Sequence, residues 1–328
     1  MLNLTTLSTN AVKPVIPDGY SPNALEQLWF NIFSGDMNPT IKLALILFAW
    51  HEFVFYSRFF PYLILDQIPY FRQYKIQADK QVSNETLLKV TRHVSISQIT
   101  TQLPMMILFK PIVETLGMRF LEAPFPSVPL IVLQNVFFML AEDTYHYWGH
   151  RALHWGWLYK NIHKQHHEYQ ATFGIAAEYA SVAEVLILGI GFFIGPVIWS
   201  LFSMGAWVAG DACDAGGFLQ WVLGGCGGHY ASSQYSLHVF TVFMWLALRL
   251  VLTVDNHCGY DFPWSIRHFF PVWAGADWHD YHHLAFIGNY GSTFRYWDWI
   301  CGTDVGYIKH TAKKAEMLQR SGGAKKTN

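Results

Sequence analysis

The chain has 328 residues, 52% of them hydrophobic and 14% charged, with a formal net charge of −1. Soluble domains usually devote about a quarter of their residues to charge, so this composition is that of a membrane protein. The near-zero balance gives no electrostatic basis for binding nucleic acid. The four cysteines, with no C-x-x-C spacing, speak against a disulfide framework, a zinc ribbon and an iron–sulfur cluster.

Residues 1–40 form a polar N-terminal segment, and MLNLTTLSTNAVKPVIP lacks the basic start and apolar core of a cleavable signal. A membrane domain is predicted over 41–310, followed by a basic tail over 311–328. A bilayer crossing takes about 20 apolar residues, and several stretches qualify unevenly. Residues 41–65 carry His51, Glu52 and Arg58, so they either span or lie at the interface. Residues 97–118 are apolar with Pro104 and Lys110 as blemishes, and 128–145 lead into His146. Residues 182–203 and 237–254 are the clearest spans.

Residues 204–236 break this composition with eight of the 25 glycines, a poor helix sequence that reads as a loop. Lysines and arginines gather between the first two stretches, at Arg151, Lys160 and Lys164, and in the tail. The positive-inside rule assigns all three regions to the cytosol. The fold class expected is an all-α integral membrane protein whose transmembrane helices carry a cytosolic helical cap. Lys325 and Lys326 match a dilysine endoplasmic-reticulum retrieval signal at a cytosolic C-terminus.

Histidine carries the chemistry. His146 and His150 are spaced i, i+4, while His163, His166 and His167 and then His279, His282 and His283 repeat H-x-x-H-H more than a hundred residues apart. On a helix these spacings share a face, so each box is expected to direct its imidazoles inward together. His257, in DNHCGYDFPW, is a ninth candidate. Neutral imidazole suits transition metals, and eight or nine ligands exceed what one zinc uses, so two ions are expected, with redox-active iron the best remaining candidate. His51, His93, His154, His229, His238, His268 and His310 read as ordinary surface or core histidines. Glu142, Asp143, Glu178 and Asp280 are candidates to orient imidazoles through their N–H groups. Aromatic runs from Phe137 to Trp148 and from Phe286 to Trp299 read as a pocket wall or as interface anchors.

The runs EDTYHYWGHRALH, YKNIHKQHHEYQATFGIAAEYA, LILGIGFFIGP, DNHCGYDFPW and WHDYHHLAFIGNYGSTFRYWDW resemble the sterol C4-methyl oxidases (methylsterol monooxygenases) of the fatty acid hydroxylase superfamily, across roughly 40–310. The boxes carry the superfamily; AEYA, NHCGYDFPW and FIGNYGSTF point to this branch, and the dilysine ending is similar to fungal members. The family pattern has a shorter connection at 204–236, and a further histidine where Trp278 stands here.

The resemblance implies a non-haem di-iron centre held by the boxes, with O2 as co-substrate and NAD(P)H electrons passed through a reductase and cytochrome b5. It implies stepwise oxidation of the C4 methyl group of 4,4-dimethyl or 4-methyl sterol precursors to the 4-carboxylate, in ergosterol-type synthesis at the endoplasmic reticulum. The C4-decarboxylating dehydrogenase and a ketoreductase would be pathway partners. The chain has no haem module and no nucleotide fingerprint, so electrons must come from another protein, and Lys160, Lys164 and Lys309 are a candidate patch for an acidic donor. The alternatives are a sterol C5 desaturase, a fatty acid or sphingolipid hydroxylase, or an inactive pathway scaffold.

Overall fold

Asn23 begins the first helix, α1 (Ala24–Phe33), with a capping box: its Oδ1 accepts from the N–H groups of Leu25 and Glu26, while Glu26 Oε2 accepts from the Asn23 N–H. The computed structural model describes residues 12–209 and 236–324. The glycine-rich run from 210 to 235 and the dilysine pair Lys325 and Lys326 lie outside the described residues. After α1 come α2 (Pro39–Gln67), α3 (Asn84–Ser97), α4 (Val128–Leu153), α5 (Val182–Ala209), α6 (Val239–Asn256), α7 (Gly275–Ala285), α8 (Tyr296–Cys301) and α9 (Val305–Ala324), joined by shorter helical turns. Among the described residues there is no strand beyond isolated bridges such as Val12–Gly35, so the fold is all-α, as expected.

Three of these helices are long and apolar enough to cross a membrane, by length and composition: Pro39–Gln67, Val182–Ser203 and Val239–Asn256. Only 22% of the apolar window of Val182–Ser203 is buried, and Leu186, Ile190, Leu201 and Phe202 are exposed along it. An exposed apolar surface of this extent fits contact with lipid. Helix α4 is long enough but not apolar enough, because Gln134, Asn135, Glu142 and Asp143 are built into it and buried. The stretch 97–118, expected as one apolar helix, is instead a π turn over Gln98–Gln102 and two short helices, Leu103–Ile107 and Phe109–Thr115. Pro111 explains the interruption at Leu108: it has no N–H to give the Ile107 carbonyl, and its ring crowds that oxygen.

The chain divides into two compact units. One comprises Met1–Val54, Ile96–Glu142 and Phe192–Leu250. Its core is aromatic: Trp29 packs against Phe33, Phe120, Phe125, Phe240 and Phe243, with ring centroids 4.3–6.3 Å away. Two of its buried indoles find acceptors, Trp29 Nε1 donating to the Phe120 carbonyl at 2.8 Å and Trp245 Nε1 to that of Phe192 at 3.0 Å. Arg249 Nε donates to Glu142 Oε1 at 3.0 Å, so this buried carboxylate is paired.

The other unit comprises Phe55–Ser95, Asp143–Gly191 and Val251–Asn328, and contains all nine predicted ligand histidines. Carboxylates hold its loops. Asp143 Oδ1 accepts from the N–H groups of Thr293 and Phe294 at 2.7 and 3.0 Å, and Asp298 accepts from Tyr290 and Gly291 at 2.9 and 2.8 Å. Arg58 grips Asp255 with two donors, at 2.5 and 2.7 Å.

Within the first unit, Gly195 of α5 lies against α4 so closely that an added Cβ would sit 2.6 Å from Phe138 Cα. Gly195→Ala is therefore expected to lower stability by about 1–3 kcal/mol. Gly156→Ala, whose Cβ would meet nothing within 4 Å, is the control. Thermal unfolding in detergent, followed by tryptophan fluorescence, checks the difference.

Candidate metal centre

At about 100° per residue, positions i and i+4 of a helix lie about 40° apart, while i+3 falls about 60° to the other side. The two H-x-x-H-H boxes are therefore not single three-point clusters. His163 and His167 join His150, His154 and His282, while His166 joins His257, His279 and His283; within each set, one nitrogen per ring lies within 4.8 Å of all the others. The second box gives its i, i+4 pair to the first set, and the third box gives its pair to the second. Helix α7 carries the third box, but the second runs over a π turn, Tyr159–His163, and a 3-10 turn, His166–Glu168.

All nine rings but His154 belong to buried residues. The Nε2 atoms converge. In the five-histidine set, His163 Nε2 lies 3.1 Å from that of His150 and 3.0 Å from that of His167. The Nε2 of His282 lies 3.1 Å from that of His167 and 3.2 Å from that of His154. In the four-histidine set the separations are 2.9 Å for His257–His279, 3.1 Å for His279–His283 and 3.3 Å for His166–His257.

The opposite ring nitrogens explain the proton positions. Nδ1 of His150 meets the Tyr290 carbonyl at 3.0 Å, His166 that of Tyr179 at 3.4 Å, and His257 that of Thr253 at 2.9 Å. His282 meets Gly288 at 2.6 Å and His283 meets Tyr169 at 3.2 Å. A carbonyl oxygen only accepts, so each Nδ1 carries the proton and donates it, and in a neutral ring Nε2 is left with a lone pair. His166 and His257 thus turn two unprotonated nitrogens toward each other. Such facing lone pairs repel unless a cation sits among them, and an uncharged, all-imidazole donor set suits a transition metal. The histidine cluster is compatible with a non-haem iron site.

Backbone conformation aims one of these carbonyls. After α7 the chain turns through Phe286, Gly288 and Asn289, all with positive φ, 62°, 84° and 55°. This brings the Gly288 oxygen onto His282. At Gly288 only glycine fits, since a Cβ would stand 2.2 Å from the Thr303 carbonyl oxygen. Two non-glycine residues held in the left-handed region beside the site are strain that the surrounding packing must support.

Several expectations change here. His154, read as an ordinary histidine, lies in the five-histidine set; it continues the four-residue spacing of His146 and His150, which was the available signal. His146, one turn before His150, stands beside that set, its ring centroid 5.3 Å from that of His150. Asp280 does not orient an imidazole: its carboxylate accepts from Gln77 Nε2 at 2.9 Å and Thr172 Oγ1 at 3.2 Å. Trp278 packs between Tyr307 and the Arg295 guanidinium, 4.8 and 4.5 Å from its ring, outside both sets.

Two cavities reach the site at His167 and Phe286. One, of about 470 Å³, is lined by polar groups including Gln77, Thr172 and Asp280; the other, of about 580 Å³, by Tyr159, Lys160, Lys164 and Gln165. Burial pushes the Asp280 carboxyl up to about 6, against the lowering effect of Gln77 and Thr172.

Burial, with a smaller repulsion from His166, pushes His154 down to about 4, and burial does the same to His166. His163, His279, His282 and His283 are also driven well below the ordinary imidazole range, burial first and neighbouring rings second. These rings stay neutral when folded, while the unfolded chain binds their protons below about pH 6.5. Stability of the metal-free protein should therefore fall as pH drops from about 6.5 toward 4, His154 and His166 each accounting for about 2 kcal/mol at pH 5. Unfolding midpoints measured from pH 7 to pH 5 check this; a flat profile would reject the buried neutral state.

The fatty acid hydroxylase family matches residues 135–303, which include every histidine of both sets. The chain is 38% identical to a C-4 methylsterol oxidase of Schizosaccharomyces pombe, over 89% of this chain and 87% of that one. It is 40% identical to a methylsterol monooxygenase of Aspergillus fumigatus, over 86% and 84%. A C-4 methylsterol oxidase of Candida albicans is 37% identical, over 93% and 89%. No solved structure matches the chain. Similarity across nearly the whole length, joined to the paired histidine sets, makes this chain a member of the fatty acid hydroxylase family.

Proposed function

We propose that this protein is a membrane-bound sterol C4-methyl monooxygenase that takes the C4 methyl group of a 4,4-dimethyl or 4-methyl sterol stepwise to the carboxylate. The observation that carries the reading is the pair of histidine sets with converging, unprotonated nitrogens, in a chain whose relatives are named for oxidation of methylsterols. An unactivated methyl C–H bond has no acidic proton, so general acid–base chemistry offers no way in. Iron with O2 supplies an oxidant of sufficient strength when bound. His150, His154, His163, His167 and His282 would hold one iron, and His166, His257, His279 and His283 the other. The chain's own contribution is to keep these rings neutral by burial and to fix their tautomers through backbone carbonyls.

Each oxidation takes one O2, two electrons and two protons and releases water. The electrons would come from NAD(P)H through a reductase and cytochrome b5, at the cytosolic face of the endoplasmic reticulum. Lys160 and Lys164 support a basic donor-docking surface here, since they line the cavity that also reaches His167. The decarboxylating dehydrogenase and ketoreductase would take the product onward.

Purified protein is expected to hold about two irons and, with O2, NADPH, reductase and cytochrome b5, to convert a 4,4-dimethylsterol to hydroxymethyl and carboxy products. Two irons with a ring double bond or a hydroxylated fatty acid instead would move the assignment to another chemistry of the superfamily; folded protein that takes up no iron would favour the scaffold. His154→Ala should lower iron content by about one per chain; metal analysis of this variant tests the five-histidine set, and the same measurement on His146→Ala tests whether that neighbouring ring also holds metal. Lys160→Glu with Lys164→Glu should raise the concentration of cytochrome b5 needed for half-maximal rate about tenfold with iron content unaltered. Unchanged donor dependence would remove the docking assignment.

A further inference from the structure

Where the carbonyl-bound imidazoles meet the backbone, His163 meets a carboxylate. Its Nδ1 lies 2.8 Å from Oε1 of Glu184, and both side chains are almost completely buried, 1% and 4% exposed. Neither His163 Nδ1 nor Glu184 Oε2 has a hydrogen-bond partner, so the approach is oblique and the second carboxylate oxygen is unsatisfied. A buried carboxylate so placed is costly unless its charge has a counterpart nearby. Local sequence does not account for it either. Ser181-Val182-Ala183-Glu184 is a capping-box sequence at the start of α5, and Ser181 Oγ does accept from the Glu184 N–H at 3.2 Å. In such a box the glutamate folds back onto the helix start; here its Oε1 faces His163 instead.

We infer that Glu184 is the positioning residue for His163 and makes the two metal positions unequal. This rests on the reading of the two histidine sets as metal sites. With Glu184 Oε1 2.8 Å from Nδ1, the carboxylate favours the tautomer with the proton on Nδ1 and the lone pair on Nε2, which stands 3.0–3.1 Å from those of His150 and His167. Ionised when a cation is bound in front of the ring, the carboxylate would make that nitrogen a stronger donor. In the four-histidine set, His166, His257 and His283 are backed by neutral carbonyls, at 3.4, 2.9 and 3.2 Å. The five-histidine position is therefore the tighter one and the one that better supports a higher metal charge.

The test titrates Co2+ into the metal-free full-length chain in detergent, followed by its visible absorption and by metal analysis. The wild type is expected to bind two equivalents in two phases. Glu184→Gln, which keeps the shape and an acceptor oxygen but removes the charge, should weaken the tighter phase about 10–100-fold and leave the other in place. His163→Ala should weaken that same phase, and adding Glu184→Gln to it should have no further effect, since the carboxylate acts through the ring. A Glu184→Gln curve that overlays the wild type would overturn the inference. So would equal weakening of both phases with a lower unfolding midpoint of the metal-free chain, the signature of a merely structural carboxylate. A wild type that takes up no Co2+ would instead overturn the metal reading itself, whereas uptake of two equivalents without the Glu184 effect would leave that reading standing.

Discussion

Nine imidazoles can be packed together in a protein interior only if nearly all of them stay neutral and something other than a proton lies among their nitrogens. That constraint organises the second unit. Burial keeps the rings unprotonated, and backbone carbonyls of Tyr169, Tyr179, Thr253, Gly288 and Tyr290 hold the single proton of five rings on Nδ1. Each carbonyl must then be aimed by the segment that bears it. This is why a run of left-handed residues follows α7, and why Asp143 and Asp298 hold the N–H groups of Thr293, Phe294, Tyr290 and Gly291 in the same loop.

The acidic residues around the site accordingly divide by what they touch. Asp143 and Asp298 secure loop backbone, Asp280 takes donors from Gln77 and Thr172, and Asp255 anchors Arg58 and Tyr62 next to the segment bearing His257. Glu184 faces an imidazole of the five-histidine set, that of His163. A carboxylate behind one ring and carbonyls behind others gives the protein a means of tuning two otherwise similar sets of ligands differently.

Much of this was legible in the residues themselves. Low charge and long apolar runs determine a helical membrane protein, because backbone polar groups in lipid must be satisfied within each segment. Histidine spacing points to clustered imidazoles compatible with a transition-metal site, because i, i+3 and i+4 positions project toward one side of a helix. The words around the boxes, such as FIGNYGSTF, carry the family resemblance, and the loop with Gly288 and Asn289 lies within that word. Pro111 was equally visible, yet the apolar count over 97–118 masked its effect, since composition is blind to a single missing N–H.

How the histidines are shared out depended on tertiary structure. Whether a box feeds one set or two is decided by the angle between i+3 and i+4 and by what packs on each side. No linear spacing states which distant ring stands opposite. His154 entered the five-histidine set because Tyr290, His163 and His282 pack around it, which its place four residues after His150 does not state. Glu184 was hidden for the same reason: within its own segment it is an ordinary capping residue, and only the fold brings His163, twenty-one residues away, against it. The sequence by itself determined the kind of protein and the kind of ligand; the tertiary structure decided which rings meet and what stands behind each one, because those are contacts between residues remote along the chain.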